Sequence, residues 1–395
     1  MLALRLARGA RPAVQLRRLL VAVAAAGTAL LLLATLGHAV DTPRDAAGSA
    51  LRLAWCLVPL AATAQLAVAV ARTDPAARLR EGMAAAGLGP VRLTLVAAAS
   101  TLLACALGSV LALLVFLRLR GDLGGTPVGP AALLGRGPLP YAAVGVLLAA
   151  VPLVAAAATA VALRPGRNTP SAPCADDPPR TDTATPAGLP WGIALTAAGL
   201  ALEVYAAGHT GPGARLLPLP GGAVTGEVGV LTGWLLSAAG LVLAAPGLVH
   251  LIGRVLSMGR SGAVRLLAGR VLQEESRRLG RPLGVLMAAA SGAYAGYVLY
   301  GPGTLPLHGH GAHGSLGPLT ALGAGLVLAC TVFSVLATVA ESRTARTATT
   351  EALRRLGTPA GLLRRAAALR ASVLVVILAA VTGGVAHLAA GPLGG

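Results

Sequence analysis

The chain has 395 residues, of which 55% are hydrophobic and 12% charged, with a mean hydropathy of +0.76. Soluble domains carry about twice that share of charge, so the composition excludes a soluble globular protein and makes lipid the solvent of most of the sequence. The formal charge of +18 comes from arginine alone, since no lysine occurs; with 3% aromatics there is little to stack on bases, which excludes nucleic acid as a partner.

About 20 apolar residues cross roughly 30 Å of hydrocarbon, and nine stretches qualify, predicting an all-α, polytopic integral membrane protein. They are 19–40, 53–71, 93–117, 140–163, 191–208, 229–252, 282–301, 318–340 and 366–390. Residues 1–18, with Leu4, Leu6, Arg8, Arg11 and Arg17, read as a basic amphipathic elbow helix on the inner leaflet. The apolar run behind Arg17 and Arg18 is too long for the core of a secretory signal and is read as the first span.

Between the second and third spans, Asp74 is placed to cap a helix with Pro75 at its first position, and Gly87 to end it in a left-handed conformation. Leu79, Met83 and Ala86 share one side of that short helix, leaving Arg78, Arg80 and Glu81 for a partner. After the fourth span, residues 164–190 are rich in Pro, Thr and Asp and read as a disordered inner linker. The fifth span is short and carries Glu203 near its outer end beside Tyr205; snorkelling to the interface is favoured over a relay or substrate contact.

Residues 261–281 set Val264, Leu267, Val271 and Leu272 at helical spacing against Arg265, Arg270, Glu274 and Arg277, which reads as a second elbow leading into the span at 282. His308, His310 and His313 form an H-x-H-x-x-H run with no acid or cysteine beside it and read as a polar outer loop, not a metal site. Between the last two spans, residues 341–365 repeat the earlier pattern: Glu351 to Gly357 has the spacing of Glu81 to Gly87. Gly108 in the third span, and Gly383 and Gly384 in the ninth, read as points of close helix packing.

With the N-terminus inside, nine alternating spans place 26 of the 32 arginines in inner segments, and only Arg44, Arg52, Arg118, Arg120, Arg136 and Arg215 outside. Positive charge is retained in cytoplasmic loops, so the C-terminus is expected outside. Cys56, Cys105, Cys174 and Cys330 are too scattered for a disulfide framework or a metal site, and three read as small core residues. No catalytic, cofactor or metal motif is apparent; a P-loop needs a lysine, so the chain is not an ATPase.

At the paired inner loops the sequence resembles the FtsX-like permeases of ABC transporters, whose halves carry a span, a short basic helix and another span. The resemblance divides the chain into a first module of four spans (1–163), the linker 164–190, two connecting spans (191–252), and an elbow with a second module of three spans (253–395). It implies that the short helices dock on a dimer of a separate cytoplasmic ABC ATPase. By position, that role falls on Arg78, Arg80, Glu81, Gly87 and Leu88, with Leu79 and Met83 on the packing face, and on Glu351, Leu353, Arg354, Leu356 and Gly357. It further implies a bacterial plasma membrane, export or extraction of an amphipathic substrate, and pairing of permeases as homo- or hetero-dimers. The family's large extracellular domain has no room here, and the second module lacks a fourth span. The rival readings are an ion-gradient-driven secondary transporter, which needs ionisable groups at mid-bilayer, a non-transporting membrane scaffold or sensor, and inner loops that act only as topology signals on anionic lipid.

Overall fold

A computed structural model describes residues 12–44, 46–73, 90–122, 137, 139–164, 188–209, 216–218, 225–258, 262–300, 318–355 and 357–390. Eight helices among them are long and apolar enough to cross a membrane: Gln15–Asp41, Ala47–Arg72, Thr94–Arg120, Tyr141–Leu163, Gly188–Ala206, Gly229–Ser257, Leu319–Ala345 and Ala360–Ala389. The protein is thus helical and membrane-embedded. The only strands among the described residues are β1 (Leu216–Pro218) and β2 (Thr225–Glu227), an antiparallel pair. Packing divides the chain into a unit of Met1–Asp177 with Gly317–Ala337, and a unit of Pro178–Leu316 with Thr338–Gly395.

The first unit contains α1 (Pro12–Asp41), α2 (Ala46–Trp55), α3 (Leu57–Arg72), α4 (Pro90–Arg120), α5 (Tyr141–Leu163) and most of α9 (Pro318–Ala345). α1 runs from Pro12 into the span without a break, so the part of the first elbow that is described is not a separate helix. Pro59 explains why α2 and α3 are two helices: it has no N–H for the Trp55 carbonyl and its ring crowds that carbonyl, so the chain turns at Cys56. The core is built of small side chains, among them Ala25, Ala29, Ala67 and Ala112, with Leu33, Leu66 and Phe116 filling the wider gaps. Cys56, Cys105 and Cys330 are buried free thiols in the same core, as expected. Gly108 lies directly on the Ala22 carbonyl of α1, where no Cβ fits. Thr28 and Thr63 share a buried 2.7 Å hydrogen bond between α1 and α3, each also donating back to its own helix when free to do so.

The ends of this unit are pinned separately. At one, the Arg17 guanidinium of α1 donates to the Thr73 carbonyl beyond α3 (3.2 Å). At the other, Asp41 accepts from the Gly137 N–H (2.9 Å), Arg120 donates to the Gly137 carbonyl, and Arg120 pairs with Asp122 at 3.3 Å.

The second unit contains α6 (Gly188–Gly208), α7 (Val228–Ser257), α8 (Ala263–Tyr300), the last turns of α9, α10 (Thr347–Arg355) and α11 (Ala360–Ala390). α6 and α7 form an antiparallel hairpin closed on small residues. A Cβ on Gly199 would meet the Ser237 N at 2.5 Å and the Gly233 O at 2.6 Å, and one on Gly240 would meet the Thr196 N at 2.5 Å. Glu203 lies in this seam, 1% exposed, accepting from Ser237 Oγ at 3.1 Å. It is therefore buried by protein, which corrects the snorkelling reading: a carboxyl one turn from the end of a span finds a hydroxyl across a glycine-lined interface before it finds the headgroups.

α8 is a single helix of 38 residues with Pro282 inside it. The elbow expected at 261–281 and the seventh span expected at 282–301 are therefore one continuous helix. It is not among the eight long and apolar enough to cross a membrane, so eight of the nine expected spans are seen among the described residues. Of the buried stripe of α8, Ala268, Leu272 and Leu279, the first two pack on α7 and α11. Successive contacts of Gly269 with Gly253, Gly280 with Pro246 and Gly292 with Trp234 run α8 antiparallel along α7, so its apolar half packs beside that helix. α11 runs parallel to α8, Ala366 packing with Ala268 and Leu378 with Met287. Gly383 and Gly384 face open space, so they are not the close-packing points expected.

Candidate functional site

The short helix expected at 347–357 is present as α10. Its limits follow from local chemistry. The Arg346 carbonyl accepts both the Thr350 N–H (2.9 Å) and the Thr350 hydroxyl (2.7 Å), opening the helix, and Gly357 at φ +85° ends it, its N–H on the Arg354 carbonyl at 3.0 Å. Pro359 then starts α11, Leu362 N–H bonding to its carbonyl at 3.0 Å.

Arg346, the single residue between α9 and α10, turns its side chain away from α10 and into the bundle. Its guanidinium lies 2.9 Å from one oxygen of Glu275 on α8 and donates to the Val271 carbonyl at 3.2 Å. The other Glu275 oxygen is 3.3 Å from Arg370 of α11. The Glu275 side chain is only 6% exposed, and the two arginines are a quarter exposed or less. Burial pushes the Arg346 guanidinium down from its usual range, Glu275 pulls it back up and Arg370 lowers it; the group remains a cation. No aligned hydrogen-bond donor faces either Glu275 oxygen, so charge holds the three groups together.

The structure thus ties the root of α10 to two long helices. Glu351, Arg354 and Gly357 are exposed on or just after α10, and Leu353 is part of the helix. Leu356, and Arg78, Leu79, Arg80, Glu81, Met83, Gly87 and Leu88 of the first loop, lie outside the described residues, as do the histidine loop and residues 165–187 of the linker expected at 164–190, whose last three residues instead open α6. The first loop follows Thr73, whose carbonyl is the one held by Arg17. In each unit, then, one arginine joins a long helix to the edge of a short segment between two apolar helices: Arg17 of α1 to Thr73, and Arg346 at the start of α10 to α8. Among the described residues no cluster of three His, Cys, Asp or Glu could hold a metal.

Glu275, Arg346 and Arg370 were not singled out by the sequence pattern. A signal was present: Leu272, Glu275 and Leu279 lie at i, i+3 and i+7, which places an acid on the apolar stripe of an otherwise basic helix. Compared with family models, with characterised proteins and with solved structures, the chain matches none.

Proposed function

We propose that this chain is the membrane-embedded permease half of an ABC transporter of the FtsX-like type, driven by a separate cytoplasmic ATPase dimer and moving an amphipathic substrate. In this reading nine spans form two pseudo-repeated bundles in a bacterial plasma membrane, with the N-terminus inside and the C-terminus outside. The eight apolar helices support a polytopic chain, and the ninth span of this reading would be the apolar half of α8, which packs along α7. The observation that carries the reading is α10, a helix of nine residues between two spans, capped by Gly357 and fixed at its root by ion pairs. A push on such a helix reaches two spans with no slack segment between. The first loop supplies the matching Glu81 to Gly87 spacing.

Leu353 and Leu356 are the apolar positions that would pack on the ATPase. Replacing both by Glu puts charge into that contact at about 2 kcal/mol or more per buried site. The ATPase that co-purifies with the parent chain should be lost from this variant and weakened by Leu79→Glu with Met83→Glu, while membrane levels stay the same. Parent-like recruitment and stimulation in both variants would leave the loops as topology signals.

One observation favours the ion-gradient reading: Glu203 is an acid buried inside a span. Transport that collapses with an uncoupler and persists without ATP would select it.

A further inference from the structure

We infer that Arg346 is the joint that passes a displacement of α10 into α8 and, through Glu275 and Arg370, into α11. The inference rests on the reading of α10 as the ATPase contact and says how the stroke leaves that contact.

The geometry is specific. Arg346 is the residue at which the backbone changes from α9 to α10, so its carbonyl belongs to the new helix while its side chain belongs to the bundle. A helix of nine residues cannot be moved at one end without moving its first residue. That residue is held at two points on α8, the Val271 carbonyl and the Glu275 carboxylate four residues further on. Glu275 reaches α11 through its second oxygen. One carboxylate between two guanidinium groups is also the arrangement that keeps α8 and α11 together here, because without it two buried cations face each other.

The contacts at Glu275 are close but lack hydrogen-bond alignment. A charge contact depends on distance and only weakly on angle, so Arg346 can swing as α10 tilts and still pull on Glu275. Apolar clusters flank the joint on both sides: Leu272 with Val249 and Ile252 before Glu275, and Leu241, Met287 and Leu378 beyond it, with Leu283 and Leu374 packed against both. A shift of α8 at Glu275 is therefore delivered to the spans as a shift of packed side chains.

The test uses the full chain in nanodiscs, with Cys56, Cys105, Cys174 and Cys330 replaced and spin labels at two exposed positions, Ala352→Cys on α10 and Arg277→Cys on α8, the ATPase measurements being made on unlabelled chains. The parent should give one narrow distance, and Glu275→Gln a broad one. Arg346→Gln should do the same; it leaves Glu275 paired with Arg370 and serves if Glu275→Gln does not fold. The double variant should be no broader than either single, since both remove one joint. With the ATPase that co-purifies with the parent, the variants should bind as well as the parent but show stimulation reduced about tenfold.

Unchanged distances in both variants overturn the joint, as do broadened distances with parent-like stimulation. A parent chain that recruits no ATPase removes the permease reading and the transmission role with it, and the distance result then separates that failure from a missing anchor.

Discussion

Gly199→Ala and Gly383→Ala make the same chemical change inside apolar helices, yet only the first should destabilise the protein. At Gly199 the added methyl would sit 2.5 Å from the Ser237 N and 2.6 Å from the Gly233 O, and these are backbone atoms that cannot rotate away. Ordinary contact begins at 3.4 Å, so the α6–α7 seam must open by about 0.9 Å. A gap of that size forfeits a quarter to a half of the dispersion energy of each contact it stretches, and it also loosens the Glu203–Ser237 hydrogen bond. Overpacking of this kind gives an expected loss of about 2–3 kcal/mol. At Gly383 nothing lies within 4 Å of the new methyl, so only helix propensity acts, and the variant should range from neutral to about 1 kcal/mol more stable. Helicity followed by circular dichroism through a titration of mixed micelles with SDS measures both. A Gly199→Ala protein within about 0.5 kcal/mol of the parent, well below the overpacking range, would refute the tight seam. A Gly383→Ala protein that loses as much as Gly199→Ala would refute the open face of α11.

Ser237→Ala removes a hydroxyl that donates to Glu203 and should cost about 0.6–1.7 kcal/mol in the same titration; no change would mean that the carboxyl finds another partner. An impermeant thiol reagent should leave intact cells unlabelled and label them after permeabilisation, because Cys174 lies in a segment expected inside while Cys56, Cys105 and Cys330 are buried. Strong labelling of intact cells would invert the proposed orientation.

The spans were legible because a 20-residue apolar window is a local property that survives any arrangement of neighbours. α10 was legible for a similar reason: its stop at Gly357 is written in one residue that tolerates positive φ. What the sequence could not show is which glycines touch something. Gly108, Gly199 and Gly383 look alike in the chain, and only the helix opposite separates the first two from the third. Glu203 fails for the same reason, since snorkelling and burial differ only in what lies across the seam. At Pro282 the sequence suggested a boundary between elbow and span. The helix continues through it, with Gly280 allowing α8 to close on Pro246 two residues earlier.

α9 begins in one unit and ends in the other: Gly317–Ala337 is counted with the N-terminal helices and Thr338 onward with the C-terminal ones. Cys330 sits in the same core as Val21, Ala62 and Val151, although three hundred residues of chain separate it from the first of them. The N-terminal segment is therefore not a self-sufficient piece. Were the gene split at the 164–190 linker, the first product would lack the helix that closes its core, and two co-translated fragments would have to complement each other by a trade of this one element. Any scheme that exchanges the N-terminal part of this chain has to carry the first turns of α9 with it.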